Sequence, residues 1–164
     1  MLKNSPEVQN LLIMYSLIKD HVDPYFDYLT SGESADIKVA QLLKLTVGSY
    51  VFFQTSMKDE SGKMKRHITA YYYIDKILVV GKDDEEISKL KHLDNNSDKV
   101  IIVGDKNKSK ILTFPLLFDK ELALELHCLH FTPEYFEKTN KNYSHRYLDT
   151  NSVALLRNKC ENKG

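Results

Sequence analysis

No apolar run in this sequence reaches the about 18 residues that a helix needs to span a bilayer. A transmembrane helix is therefore not expected. The opening stretch, MLKNSPEVQNLLIMYSLI, lacks a signal peptide's basic start, uninterrupted apolar centre and small-residue cleavage site. A cytoplasmic protein is the expectation. Net charge is missing too, because Lys+Arg and Asp+Glu both number 23. A chain that coats a phosphate backbone at large is normally basic, so neutrality leaves room only for a local basic face.

Chemistry-bearing motifs are scarce. Cys128 and Cys160 form no CxxC pair and fit no zinc-site spacing. They read as one small buried residue and one tail thiol, and a disulfide is not expected in a reducing compartment. His127 and His130 could share a helical face, but no third ligand stands at obvious spacing and HExxH is absent. No metal and no cofactor are expected. There is no GxSxG elbow. A Cys128–His130 dyad would lie inside an apolar helix, a poor place to activate a thiolate. Asp75–Lys76, or Glu125 with a distant lysine, are pairs too common to mark a nuclease.

What is present suits one globular domain. The chain has 164 residues, 42% hydrophobic and 28% charged, enough to bury a single core. We assign residues 1–158 to that domain and 159–164 to a flexible tail or the start of a linker. NLLIMYSLI at 10–18 reads as a central strand. Asp23-Pro24 and Ser31-Gly32 mark the following segment as loop. DIKVAQLLKL at 36–45 reads as a short helix capped by Asp36, with Ile37, Ala40, Leu42 or Leu43, and Leu45 on one face and Gly48 as its stop. A hairpin follows. Its first strand puts Tyr50, Phe52, Gln54 and Ser56 on one face. Its return strand divides into Ile68, Ala70, Tyr72, Ile74 and Leu78 against His67, Thr69, Tyr71, Tyr73 and Asp75. The connection MKDESGKMKR is expected to be exposed and mobile. Further on come a weak helical pattern in EEISKLKHL, a strand at 99–105, a strand around ILTFPLLF with Pro115 at a bend or edge, and helical DKELALELHCLHF with Leu122, Leu126 and Leu129 inward. TPEYF starts another helix, and a last one runs from about Thr150 to Lys159.

Four of these segments combine into a pattern: the Asp23-Pro24 loop, VGSYVFF, HITAYYYIDKI and VIIVGDKNKSKIL. Together, over roughly residues 11–120, they resemble the nucleotide-modification-associated domains of the PUA-like superfamily, which also holds the EVE, ASCH and YTH domains. Ser49 stands where that pattern has an aspartate. The resemblance implies an α+β fold built on a partly open PUA-like β-barrel of five to six strands flanked by short helices. It also implies recognition of a modified base in a nucleic acid, DNA favoured over RNA, by flipping a nucleotide into a pocket. Such domains serve as target readers in modification-dependent restriction or defence systems, so a fused or associated nuclease or NTPase is an expected partner.

Reading a base requires a flat surface for stacking and fixed donors and acceptors for its edge. Tyr71 and Tyr73, with Tyr50 and Phe52, offer planes. Ser16, Asp23, Gln54, Ser56, His67 and Thr69 offer edge contacts. Lys106, Lys108, Lys110 and Arg146 are the expected phosphate contacts, with His145, Tyr143 and Tyr147 beside Arg146. The absence of tryptophan removes the usual wall of a methyl-reading cage. Aromatics at period two also suit a barrel core, and the lysines also suit a solvated turn. A binding domain is expected rather than an enzyme. The alternatives are an enzyme acting on a modified base or nucleotide, and a protein-interaction module.

Overall fold

Alternating large side chains along YVFFQTSMK and MKRHITAYYYIDKILV make the two strands at the centre of the fold. In the computed structural model, which describes residues 8–15, 24–90, 98–126 and 145–162, they are β3 (Tyr50–Lys58) and β4 (Met64–Val79). Around them lie β1 (Asn10–Met14), β2 (Thr30–Glu33), β5 (Val100–Gly104), β6 (Lys110–Leu117) and β7 (Arg146–Leu148). The helices among the described residues are α1 (Asp36–Leu43), α2 (Asp84–Ser88), α3 (Lys120–Leu126) and α4 (Thr150–Asn162).

The strands form one mixed sheet of seven, in the order β2-β5-β4-β3-β1-β7, with β6 also on β4. β1 runs parallel to β3, Leu11 opposite Val51 and Met14 opposite Gln54; the other pairings are antiparallel. β5 pairs with Ile74–Val79 of β4 and β6 with His67–Tyr71. The two therefore follow one another along β4, separated only by residues 105–109. The α+β class is as expected. The sheet has seven strands rather than five or six, and among the described residues it does not close, so a barrel is not seen.

Each face of the sheet carries its own core. On one, Leu12, Phe52, Ile68 and Tyr71 pack with Leu122, Ala123 and Leu126 of α3 and Val153, Leu156 and Cys160 of α4. On the other, Leu11, Ile13, Val51, Phe53, Ala70, Tyr72 and Ile74 pack with Leu42 and Leu45 at α1. α3 buries Leu122 and Leu126 as expected; Leu129 lies outside the described residues, as do TPEYF, His127, Cys128 and His130. α1 is turned relative to its expected face. Ile37 and Leu43 are exposed, whereas Gln41 and Leu42 are buried. The reason is polar. The Gln41 amide donates to the His145 carbonyl at 2.7 Å and accepts the His145 N–H at 3.0 Å, tying α1 to the strand end before β7. Ala35, not Asp36, occupies the N-cap position.

The expected mobile connection is short. β3 and β4 extend to Lys58 and Met64, and one Asp59 oxygen accepts the Ser61 hydroxyl and the Ser61 and Lys63 N–H groups. These bonds hold the Asp59 carboxyl below its ordinary pKa. The segment expected as a tail also differs. Residues 159–162 are the last turn of α4, and Cys160 is 0% exposed. Asp149 starts this helix, its carboxylate accepting the Ser152 N–H at 2.7 Å. No helix among the described residues is long and apolar enough to cross a membrane.

Burial pushes the Cys160 thiol from 9.0 up to about 12, with Glu161 adding to the rise and Lys110 opposing it. A thiol with its proton held this firmly is a poor nucleophile. Alkylation at pH 8, read by peptide mass spectrometry, is expected to spare Cys160 in the native protein and label it in urea. Rapid native labelling would contradict the packing. Between pH 9 and about 12 the unfolded chain releases a proton that the native chain keeps. This thiol's contribution to stability is thus complete below pH 9 and declines as pH rises through that window.

Candidate nucleic-acid interface

Strand alternation places Tyr71 and Tyr73 on one face of β4, and the register sets Tyr50 of β3 opposite Tyr73. The three rings form an edge-on cluster. Tyr50 lies 5.9 Å from Tyr71 and 5.2 Å from Tyr73 between centroids, with interplanar angles of 62° and 76°. Phe52 backs Tyr71 at 5.2 Å.

Residues 105–109 form one rim. Because β5 and β6 share β4, this loop bulges out beside Tyr73. The Asp105 N–H donates to the Tyr73 carbonyl at 2.7 Å, and the Tyr73 N–H donates to Ser109 Oγ at 3.0 Å. One Asp105 carboxylate oxygen accepts the N–H groups of Asn107 and Lys108. Gly104 is needed at the entry, because a Cβ there would lie 2.8 Å from Ser109 Oγ and 3.0 Å from the Tyr72 ring. So held, the loop sets Lys108 Nζ over the Tyr73 ring at 4.6 Å.

α4 forms the other rim. Its buried stripe of Val153, Leu156 and Cys160 fixes the helix rotation, which leaves Arg157 and Glu161 flanking the stripe above the tyrosines. The Arg157 guanidinium carbon sits 4.7 Å from the Tyr50 ring centroid. Burial raises the Tyr71 phenol above its ordinary value; Arg157 acts against that rise and Glu161 with it. The result is an open groove of about 530 Å³ lined by Tyr50, Tyr71, Tyr73, Asn107, Lys108, Ser109, Lys110, Arg157 and Glu161.

The groove gathers five of the expected residues, Tyr50, Tyr71, Tyr73, Lys108 and Lys110. Others are elsewhere. The register slips between Phe53 and Gln54 and between Ile68 and Ala70, making Thr69 an extra residue that shifts the pleat. Ile68 consequently joins the core beside Tyr71, not the one holding Ala70 and Tyr72. Thr69 bonds the Tyr15 hydroxyl at 2.8 Å, and Tyr15 packs with the opposite core. Gln54 lies between Met14 and Ile68 in register and is 1% exposed. His67 Nδ1 contacts the Lys65 carbonyl at 2.9 Å, and Ser56 is opposite Arg66. Gln54, Ser56, His67 and Thr69 do not line the groove.

Lys106 is exposed on the loop outside the groove, and Arg146 is paired with Leu12 through β7. His145, expected in a cationic surface patch, is buried, its Nε2 2.7 Å from the Glu33 carboxylate. Ser16, Asp23 and Tyr143 lie outside the described residues. Sequence reasoning missed Arg157, Glu161, Asn107 and Ser109. The i,i+4 spacing of Arg157 and Glu161 is visible in the sequence, but only the packing of α4 aims them. Among the described residues, no group of three or more His, Cys, Asp or Glu side chains could hold a metal ion.

No protein-family model matches this chain, and no curated protein is significantly similar to it.

Proposed function

We propose that this protein is a nucleic-acid binding module that seats an unstacked base against the half-buried Tyr50 and Tyr73 rings, with the buried Tyr71 behind them, while Lys108, Lys110 and Arg157 hold neighbouring phosphates. The observation that carries this reading is the convergence of three tyrosines and three cations on one open groove. The chain as a whole is neutral, and the groove sets three cations against one carboxylate. Backbone attraction and base stacking are the two terms on which single-strand binding rests.

Lys108 and Arg157 cover ring faces in the unbound protein. Displacing such an exposed cation costs about 0.5–1 kcal/mol. A stacked base returns about 1–3 kcal/mol, and the displaced ammonium gains a phosphate partner. The exchange favours the bound base. The finer reading keeps the PUA-like relationship and recognition of a modified base, DNA before RNA, as target reader of a restriction or defence system. Its support is the resemblance of four segments, of which VGSYVFF, HITAYYYIDKI and VIIVG fall on β3, β4 and β5, consecutive in the sheet order.

The test is a panel of short DNA and RNA single strands and duplexes, unmodified and with methylated or hydroxymethylated bases, titrated at two salt concentrations. Salt-sensitive binding is expected, tighter to the modified members than to the unmodified ones. Tyr73→Ala should weaken it roughly tenfold, the equivalent of one lost stack of about 1.4 kcal/mol. Failure of every member to bind refutes the proposal.

A further inference from the structure

One residue in the groove has the wrong charge for a phosphate site. Glu161 places a carboxylate among Lys108, Arg157 and the tyrosines, where it opposes the approach of a polyanion. Its side chain is 51% exposed and its contacts are long, 3.5 Å to the Tyr71 hydroxyl and 3.8 Å to Arg157. Hydrogen bonds at such distances are weak and both contacts fall on Oε2, so the carboxylate keeps acceptor capacity. Position matters as well. The carboxylate stands by the Tyr71 hydroxyl and Lys108 stands over the Tyr73 ring, two residues along the same strand. A base lying against Tyr73 would have a cation beside it at Lys108 and an acceptor-only group in the same groove at Glu161.

We propose that Glu161 reads the base edge and makes the groove selective for guanine, a deepening that rests on the nucleic-acid reading above. An ionised carboxylate offers two acceptors and no donor. Guanine presents two adjacent donors on its Watson–Crick edge, N1–H and the N2 amino group, and can engage both oxygens. Adenine and cytosine each set a ring-nitrogen acceptor beside their amino donor, and thymine or uracil flanks its one N–H with two carbonyls. Each of these turns a lone pair toward the carboxylate. A matched bidentate pair gives about tenfold discrimination or more. The phosphate on the same nucleotide, or the next one along a strand, then falls to Lys108.

The experiment compares short oligothymidylates carrying one central dG, dA or dC, by fluorescence anisotropy, with the free 5′-monophosphates of guanosine, adenosine, cytidine and uridine, by calorimetry. The dG strand should bind about tenfold tighter than the others. Glu161→Gln should reduce that preference to less than about threefold, because an amide offers one acceptor and one donor group. Guanosine monophosphate binding without strand binding would keep the edge reading for a free nucleotide and overturn the strand-binding proposal. Salt-sensitive strand binding without base preference, or a preference unchanged in Glu161→Gln, overturns this inference and leaves the binding module standing. No binding by any ligand overturns both.

Discussion

Phe53→Ala is expected to lower the unfolding free energy by about 3–5 kcal/mol, towards the upper end of that range. Phe53 is 0% exposed and sits in a network of rings, 4.5 Å from Tyr72, 5.6 Å from Phe26 and 6.5 Å from Tyr15. How much a truncation costs depends on how far the neighbours can collapse into the space. Here two of them are pinned at their polar ends. The Tyr72 hydroxyl donates to the Thr30 carbonyl at 3.0 Å, and the Tyr15 hydroxyl is bonded to Thr69 Oγ1 at 2.8 Å. Filling the cavity would break one of these bonds, so it stays largely open. A domain with about 5–15 kcal/mol in total loses a large part of its stability. Urea unfolding followed by circular dichroism measures the change. Phe114→Ala, at a side chain 63% exposed, is the control and should move stability by less than about 0.5 kcal/mol. A loss below about 1.5 kcal/mol at Phe53 would show that this face is not packed as described.

Strong period-two patterns with large side chains survived from sequence to structure. β3, β4 and β5 lie where the alternation of VFF, YYY and VIIV puts them, because burial on both faces leaves such segments no competing arrangement. The misses have separate causes. Thr30–Glu33 carries a Ser-Gly turn signal, yet it pairs with β5 as β2. Glycine is needed at position 32 because a Cβ there would collide with the Asp98 side chain, so the residue that reads as a turn signal answers a neighbour 66 positions away in the chain (98 − 32). Arg146–Leu148 is too short to show a period, and it pairs with β1 to become β7. The turned face of α1 follows from Gln41 binding the His145 backbone, a contact between residues 104 apart. Each of these elements is decided by a distant partner rather than by local preference.

The candidate site was half legible for the same reason. Tyr71 and Tyr73 form one pair two residues apart, Lys108 and Lys110 another, and the pairing of β4 with β5 and β6 brings the two pairs together. His67 and Thr69 share their parity with Tyr71, but the irregularity between Ile68 and Ala70 intervenes. One extra residue exchanges the faces beyond it. Gln54 is sealed into the sheet between Met14 and Ile68. Arg157 and Glu161 stand more than 80 residues beyond Tyr73, and the rotation that aims them is set by Leu156 and Cys160, both 0% exposed.

Replacing Lys108, Lys110 and Arg157 together by glutamine should have the largest effect on binding. For single strands each phosphate neutralised contributes about 0.7 to the slope of log affinity against log salt. Loss of three contacts should therefore flatten that slope by about 2. At a fixed salt of about 0.1 M the same loss amounts to roughly a hundredfold in affinity. Stability should hardly change. Lys108 is exposed and Lys110 half-buried on the loop and the start of β6, and the contact of Arg157 with Tyr50 accounts for about 0.5–1 kcal/mol. The base-stacking surface remains, so residual binding should be weak and nearly insensitive to salt. Anisotropy titrations across a salt series, run beside urea unfolding of the same variant, separate the two quantities. An unchanged slope in a variant with native stability would place the phosphate contacts elsewhere and remove the cationic half of the proposal. A flattened slope would leave the tyrosines as what holds the base.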